Sequence, residues 1–497
     1  MTGAATFSYN KQVDRWFSFL GGIVVGDYMK KRVTLIVLVF AFIIFNSYEI
    51  ASAKKIIAHY MPWYQSQPVS GFWGWHWTME HFHPPSTYHS HYNPPTTYAS
   101  QYHPLFGPYD SSDPHVLASQ ALLMKFGGMD GMIADWYGIE NFYDYILIFD
   151  ATNHFIPYIK EAGLEFSICY EDQTVGIMLD AGHFANRAAA VAHGVQVMEW
   201  LEANYFNDTA YTKIDNRPVL LCFGPQFFTD AEWTTLFSVL TPKPHFFPLQ
   251  YHLISYPTRT GEFSWPGPQL GTTPSSPTSS TKIINDLTNF YNRGTFYHWE
   301  HYIDGAFPRF HDIYAEAGVG SSYGYIDDQY AAFGSTYSYT LERSLQSSSD
   351  IVQLITWNDY GEGTIIEPTE EDGYLYLEIT QQVRKQYIDP NFPYTAENLR
   401  LPVRLYTLRK ENLSNPTVMS QLASVEDFLF AGNLSVAEDI LDEIECIALH
   451  VFTSAWLNVP ENGNWNPACD FSLPTDNIID FQDFAVFAVN WLNGTHF

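Results

Sequence analysis

Short apolar runs alternate with amphipathic stretches from about residue 55 onward. Continuous apolar runs are typical of strands buried on both faces, and their alternation with helical patterns predicts a parallel sheet built from βα units. The predicted strands are Ile56–His59, Gly131–Asp135, Glu165–Tyr170, Val219–Phe223, His245–Leu249, Thr295–His298 and Val352–Trp357, with a weaker eighth at Tyr323–Ile326. The predicted helices are Pro114–Phe126, His183–Asn204 and Thr336–Gln346. We therefore predict an α/β fold, an eight-stranded (β/α) TIM-type barrel over residues 54–395.

Most of the predicted strands run directly into polar and aromatic residues. In a (β/α) barrel the active site lies at the carboxyl ends of the strands, so these residues are expected to line a cleft. The simpler alternative is that strand ends are polar because they meet solvent. The candidate substrate-binding residues are Tyr60, Trp63, Tyr64, His76, Trp77, Tyr109, Asp135, Trp136, Tyr137, Glu171, His298, Glu300, Trp357 and Asn358.

Composition narrows the class of ligand. The chain has 54 Asp and Glu against 24 Lys and Arg, a formal net charge of -30, and such a field repels nucleic acid. Aromatic residues make up 17% of the chain, which is more than one core needs. Because Trp and Tyr offer flat apolar faces edged with polar groups, this surplus favours a ligand built of sugar rings.

The strongest local pattern is an apolar strand that runs into two carboxylates three residues apart, Asp359 and Glu362. Glycoside hydrolysis needs one acid to protonate the leaving oxygen and a second carboxylate at the anomeric carbon. Neighbouring carboxyl groups hold their pKa values apart, so that one stays protonated near neutral pH. The alternative is that both residues cap a following helix. No Gly-rich phosphate loop follows a predicted strand, so no organic cofactor is expected for catalysis.

Six segments occur in the order found in glycoside hydrolase family 99, which this chain resembles over about residues 54–390. They are Tyr-Met-Pro-Trp-Tyr at 60–64, Gly-Trp-His-Trp at 74–77, His-Pro-Leu-Phe-Gly-Pro-Tyr-Asp-Ser-Ser-Asp-Pro at 103–114, Gly-Met-Ile-Ala-Asp-Trp-Tyr at 131–137, Cys-Tyr-Glu at 169–171 and Trp-Asn-Asp-Tyr-Gly-Glu-Gly-Thr at 357–364. The resemblance implies a retaining endo-acting α-mannosidase in which Asp359 deprotonates the sugar 2-hydroxyl, Glu362 protonates the leaving group and Glu171 binds sugar. The family has Glu where this chain has Asp359, and Trp-His at positions 360–361.

The segment around Asp359 is also similar to glycoside hydrolase family 71, whose members are inverting α-1,3-glucanases. The resemblances, taken with the export pattern of the first 53 residues, indicate a secreted endo-acting α-glycoside hydrolase that cleaves an α-mannan or a related glycan. An inverting α-1,3-glucanase is one alternative, with carboxyl groups roughly 6.5–9.5 Å apart. The other alternative is a catalytically silent barrel that only binds polysaccharide.

The first 53 residues contain an export pattern that starts at Met29. A basic segment, Lys30 to Arg32, precedes an apolar run, and Ala51-Ser52-Ala53 is typical of a signal-peptide cleavage site. The true start is therefore expected at Met29, and the mature protein is expected outside a bacterial cell or in the periplasm. If the segment is not cleaved, the same run would anchor the protein in a membrane.

The composition changes after Lys410, since residues 411–497 contain thirteen acidic residues and no Lys or Arg. We predict a helical linker at 396–437 and an all-α module at 438–497 that resembles a dockerin repeat, which implies a protein partner. Calcium ligands are expected at Asp470, Ser472, Asp476, Asp480 and Asp483. An acidic helix pair without metal is the alternative. Cys446 and Cys469 are candidates for a disulfide, whereas Cys169 and Cys222 are expected to be reduced core residues.

Overall fold

The computed structural model describes residues 54–84, 98–251, 259–329, 334–455, 478–480 and 483–486. These residues belong to a compact unit, Lys54–Phe497. The predicted export segment lies outside them, as do Asp470, Ser472, Asp476 and Cys469 and the side chain of Cys446. None of the described helices has the length and hydropathy needed to cross a membrane.

The described strands form one eight-stranded sheet and a separate two-stranded one. The strands are β1 (Lys55–Tyr60), β2 (Gly131–Trp136), β3 (Glu165–Tyr170), β4 (Lys213–Ile214), β5 (Arg217–Cys222), β6 (His245–Pro248), β7 (Ile303–Ala306), β8 (Phe310–His311), β9 (Tyr325–Ile326) and β10 (Ile351–Leu354). In the large sheet β6, β5, β3, β2, β1, β10 and β7 are parallel neighbours in that order, and β4 adds to β5 antiparallel. The prediction of a parallel α/β sheet is confirmed.

The two ends of this parallel series approach each other at Phe263. Isolated parallel bridges join Leu249 to Phe263 and Phe263 to Ile303. The Phe263 amide donates to the Pro248 carbonyl at 3.1 Å, and the Ser264 amide donates to the Ile303 carbonyl at 3.1 Å. The chain around Phe263 therefore lies between β6 and β7.

Both faces of the strands are buried, as their apolar runs require. One face forms a cluster of Ile57, Ile133, Cys169, Val219, Leu221, Phe247, Phe263, Ile303 and Ile351. The other face packs against helices in a second, larger core. Because side chains alternate along a strand, every functional side chain at a strand end has an immediate neighbour that points into the helical layer.

Helices follow most of the strands. They are α1 (Gln67–Ser70), α2 (Trp75–Thr78), α3 (Pro114–Gly127), α4 (Tyr145–Glu161), α5 (Gln173–Asp180), α6 (Arg187–Leu201), α7 (Asp230–Leu236), α8 (Ser280–Tyr297), α9 (Ser335–Gln346), α10 (Leu375–Tyr387), α11 (Leu401–Glu411), α12 (Pro416–Phe430) and α13 (Leu434–Ala455). The helices of residues 396–437 are not extended away from the sheet. Ser119 on α3 donates to the Pro402 carbonyl at 3.0 Å, and Lys125 donates to the Phe430 carbonyl at 2.5 Å.

One predicted strand is wrong, and another lies outside the large sheet. Thr295–His298 was expected to be a strand, but α8 continues to Tyr297 because Ile283, Leu287 and Phe290 give it a buried helical face. The strand of this region is β7, which begins only at Ile303. The predicted strand at 323–326 contains β9, which pairs antiparallel with β8 outside the large sheet.

Candidate active site

The loop after β10 carries both predicted catalytic carboxylates. The Glu362 amide donates to Asp359 Oδ1 at 2.9 Å, and the Asp359 amide donates to Thr356 Oγ1 at 2.7 Å. Gly363 follows with φ of +66°, and a Cβ there would lie 2.5 Å from the His311 carbonyl oxygen, so only glycine fits. This tight turn keeps the two acids at one edge of the sheet.

Burial separates the ionisation of the two acids. Asp359 is buried, and this burial raises its pKa to about 6. The pKa of Glu362 is raised well above its usual value, first by burial and then by the negative charge of Asp359. Trp265 Nε1 donates to Glu362 Oε2 at 3.3 Å. Asp359 is therefore the member that ionises first, and Glu362 holds its proton to higher pH.

Asp135 at the end of β2 and Glu171 just after β3 form a second acidic pair. Burial raises the pKa of Glu171 to about 7, and Gln173 Nε2 donates to Glu171 Oε2. The pKa of Asp135 is raised well above its usual value by burial and by the charge of Glu171. The charge of Asp359 raises the pKa of both residues, which places the two pairs in one electrostatic cluster.

Within the described part of the chain, none of these four carboxyl groups forms a salt bridge. The ion pairs of the protein lie elsewhere, for example between Arg309 and Asp372. An unpaired group of carboxyls in a buried site holds protons to higher pH than surface acids do. The cluster of Asp135, Glu171, Asp359 and Glu362, called here the carboxyl cluster, can therefore hold and exchange protons near neutral pH.

A groove with a volume of about 540 Å³ runs outward from Glu171. Its lining includes the exposed apolar side chains of Phe72, Trp75, Tyr143 and Ile177. The other lining residues are Gln65, Trp73, Gly74, His76, Glu80, Tyr137, Asp144, Tyr145, Leu147, Gln173 and Thr174. Flat apolar surfaces beside amide and carboxylate groups suit the faces and hydroxyls of sugar rings.

Three of the predicted substrate-binding residues lie together at this groove, since His76 and Tyr137 line it and Trp63 contacts both. His76 stacks on Trp63 with ring centroids 4.1 Å apart and an interplanar angle of 6°. Tyr137 lies 6.3 Å from Trp63 between ring centroids. The structure thus brings Trp63, His76 and Tyr137 together with Glu171.

Four other predicted substrate-binding aromatics are completely buried in the main core instead. They are Tyr60, Trp77, Trp136 and Trp357. The alternation of side chains explains Trp136, since its neighbour Asp135 faces the carboxyl cluster and the Trp136 ring stacks on Trp200 among the helices, at 5.9 Å. These residues support the site from behind and do not line it.

Asn358, Tyr64 and Tyr109 brace the loop after β10 against the loop after β1. Asn358 Oδ1 accepts from the Met61 amide at 2.8 Å, and Asn358 Nδ2 donates to the Met61 carbonyl at 3.0 Å and to Tyr109 Oη at 2.9 Å. Tyr64 Oη donates to the Asn358 carbonyl at 2.9 Å. Asn358 is completely buried, so its amide holds the loop in place and is not open to substrate.

The prediction that His298 and Glu300 bind substrate is wrong in its placement. It depended on a strand at 295–298, whereas His298 caps the carboxyl end of α8 and Glu300 precedes β7. Both residues therefore lie near the amino end of β7. The carboxyl cluster lies at the opposite end of the strands.

Three residues near the site have no sequence pattern that predicts them. Trp265 contacts Glu362, although it follows a single bridging residue and no apolar run. Burial and the charges of Glu362 and Asp359 raise the pKa of Tyr314. Glu367 lies in the same sequence segment as Asp359, but two of its hydrogen-bond partners, Gln120 and Tyr109, are far away in the sequence.

Glu367 is completely buried and accepts four hydrogen bonds. Its donors are Gln120 Nε2 at 2.6 Å, Tyr360 Oη at 2.7 Å, Tyr109 Oη at 3.0 Å and Trp357 Nε1 at 3.2 Å. Burial raises the pKa of Glu367 to about 7, against the opposing effect of these donors. Glu367 thereby links Trp357 and Tyr360, which belong to the segment after β10, to Gln120 on α3 and to Tyr109.

Of the five predicted calcium ligands, the structure describes Asp480 and Asp483. The Asp480 amide donates to Asp483 Oδ2 at 2.8 Å, an arrangement that begins a helix. The calcium site and the disulfide between Cys446 and Cys469 stay predictions. Cys169 and Cys222 are both buried and free, as expected.

A scan against protein-family models finds no match, and a search of curated proteins finds no similar sequence. Solved structures similar to this chain include two of a GH99 endo-alpha-mannosidase from Bacteroides thetaiotaomicron, at 16% identity over 67% of this chain and 97% of theirs, with TM-scores of 0.48 and 0.47. A glycoside hydrolase-like protein matches 68% of this chain and 95% of its own length, at 13% identity and a TM-score of 0.47.

Proposed function

We propose that this protein is an endo-acting α-glycoside hydrolase. The observation that carries the proposal is the pair of Asp359 and Glu362, adjacent acids whose pKa values are raised to different extents by burial and by each other. One ionised and one protonated carboxyl group at neutral pH is the combination that glycosidic bond cleavage requires. Trp265 orients the protonated member by donating to Glu362 Oε2.

The roles follow from the protonation states. Glu362 donates its proton to the leaving glycosidic oxygen as that bond breaks. Asp359 accepts the proton of the sugar 2-hydroxyl, whose oxygen then bonds to the anomeric carbon of the same ring, as the resemblance to family 99 implies. Water then attacks that carbon and gives its proton to Glu362, while the bond to the 2-oxygen breaks and this oxygen takes the proton back from Asp359. In the inverting alternative, of the family 71 type, Asp359 instead takes a proton from the attacking water.

The groove supports a polymeric and uncharged substrate. It has a volume of about 540 Å³ and exposed aromatic side chains in its lining with Glu171, so it has room for more than one sugar unit. Among the described residues that line it there is no Lys or Arg to pair with a uronate or a phosphate. An α-mannan or a related neutral glycan fits this chemistry best.

We further propose that the segment around Phe263 completes an eight-stranded (β/α) barrel, because it bridges β6 and β7. We also propose that the protein is exported after cleavage near Ala53 and that its tail binds a protein partner in the presence of calcium. Both depend on the sequence patterns alone.

The test is proton NMR of the first-formed anomer when the full chain acts on a panel of α-mannans and α-glucans. We expect turnover of at least one polymer by internal cleavage, with retention of the anomeric configuration. Inversion of the anomeric configuration would instead indicate that Asp359 takes a proton from the attacking water. Affinity for these glycans without any turnover would overturn the hydrolase proposal and leave a polysaccharide-binding protein.

The plot of kcat/KM against pH should be bell-shaped, and its acidic limb should lie at an unusually high pH for a carboxyl group. Asp359 must be ionised to act, and its raised pKa means that its basic form is lost as the pH falls through about 6. Glu362 must keep its proton, and its raised pKa moves the basic limb well above the usual carboxyl range. The limbs report apparent values of the coupled pair.

This profile is measured with circular dichroism at each pH, so that loss of activity is separated from loss of fold. An acidic limb near the ordinary carboxyl pKa of about 4 would contradict the assignment of Asp359 as the base.

A further inference from the structure

A second group of ionisable side chains lies just before the strand ends, on three adjacent strands. His59 is on β1, Asp135 on β2 and Cys169 on β3, and Asp135 and Cys169 are direct neighbours in the sheet. A ring nitrogen of His59, a carboxylate oxygen of Asp135 and Sγ of Cys169 all lie within 4.8 Å of one another. All three residues are buried, with exposed fractions of 0%, 2% and 0%.

The orientation of His59 is determined by a chain of hydrogen bonds. Gln353 Nε2 donates to the Ser264 carbonyl at 2.6 Å, which leaves Gln353 Oε1 to act as an acceptor. His59 Nδ1 lies 3.2 Å from that oxygen and therefore carries the ring proton. His59 Nε2 is consequently the nitrogen with a free lone pair.

Two buried polar atoms of this group lack partners, although the Asp135 carboxyl also interacts with Glu171 and Cys169 Sγ with the Phe223 amide. Neither His59 Nε2 nor Asp135 Oδ1 has a hydrogen-bond partner among the residues that the structure describes, and Cys169 is a free thiol. An unpaired buried polar atom costs about 1–3 kcal/mol, so two of them beside a thiol favour binding of a ligand that pairs with both.

We propose that His59 Nε2, Asp135 and Cys169 Sγ bind one zinc ion. Imidazole nitrogen, carboxylate oxygen and thiolate sulfur are the donors that zinc takes in proteins, whereas calcium and magnesium take oxygen. The thiolate and the carboxylate together neutralise the doubly charged ion, which makes its burial feasible.

The surroundings suit this ion. The hydrogen bond from His59 Nδ1 to Gln353 is the kind of outer contact that orients a metal-binding histidine. Because zinc holds its ligands at about 2.0–2.3 Å, binding draws the three side chains together by small rotations. Three protein ligands leave a fourth coordination position. The site shares Asp135 with the carboxyl cluster, but its test by metal content and absorption does not require hydrolase activity.

The test uses the purified full chain, freed of metal and titrated with zinc or with cobalt(II). We expect about one zinc ion per chain by elemental analysis, and with cobalt a near-ultraviolet absorption band from thiolate coordination. Cys169→Ser and His59→Gln should lose the band, and Gln353→Leu should weaken zinc affinity by about 10–100-fold.

Cys222→Ser is the matched control. Cys222 is also a free, completely buried cysteine, on the next strand β5, and its substitution should leave the band unchanged. Substitution of Cys446 and Cys469 should also leave it unchanged. The proposal is overturned if the wild-type chain shows no thiolate band with cobalt, or if the band survives in a folded Cys169→Ser variant.

Discussion

Glu362→Gln should lower kcat on a natural α-glycan by about 10²–10⁴-fold, because the amide cannot donate a proton to the leaving oxygen. The substitution keeps the volume of the side chain and an oxygen that accepts from Trp265 Nε1. Binding of an oligosaccharide should therefore persist. Steady-state kinetics and isothermal titration calorimetry measure the two effects separately.

A substrate with a good leaving group distinguishes a general acid from a residue that only supports the site. A glycosyl fluoride does not need protonation, so Glu362→Gln should regain most of its activity on it, whereas Asp359→Asn should not. Glu316→Gln is the matched control, since Glu316 is an exposed acid of the neighbouring loop. Activity of Glu362→Gln close to that of the wild type on the natural glycan would eliminate Glu362 as the acid.

Glu367→Ala should lower the free energy of unfolding by about 3–5 kcal/mol, since it leaves four buried donors without an acceptor. The donors include Tyr109 and Tyr360, so the loop that carries Asp359 also loses its support. kcat should fall together with stability. Urea unfolding followed by circular dichroism, with kinetics at low temperature, measures both.

Two variants make this prediction specific. Glu367→Gln keeps one acceptor oxygen for Gln120 and Trp357 and should destabilise the protein less than the alanine variant. Glu371→Ala removes a partly exposed carboxylate that pairs with His103 and should cost less than about 1 kcal/mol. If Glu367→Ala costs no more than Glu371→Ala, Glu367 does not hold the loop.

The candidate site was predictable where its residues are local in sequence. Asp359 and Glu362 follow a strand by a few residues, and Asp135 and Glu171 follow two others, so parallel packing alone places them at one edge. Trp265 was not predictable because its bond to Glu362 joins positions 97 residues apart. Gln120 and Glu367 are separated by 247 residues, which leaves no periodic pattern to find.

The sequence by itself determined the parallel α/β sheet and the edge at which the acids gather, because unbroken apolar runs specify strands buried on both faces. Tertiary structure alone decided which side of each strand faced the cleft, so that Asp135 reached the carboxyl cluster and Trp136 the helical core. It also decided that His298 and Glu300 lie at the far end of the sheet. The physical reason is that burial, hydrogen-bond partners and raised pKa values arise from contacts between distant segments, which no local pattern encodes.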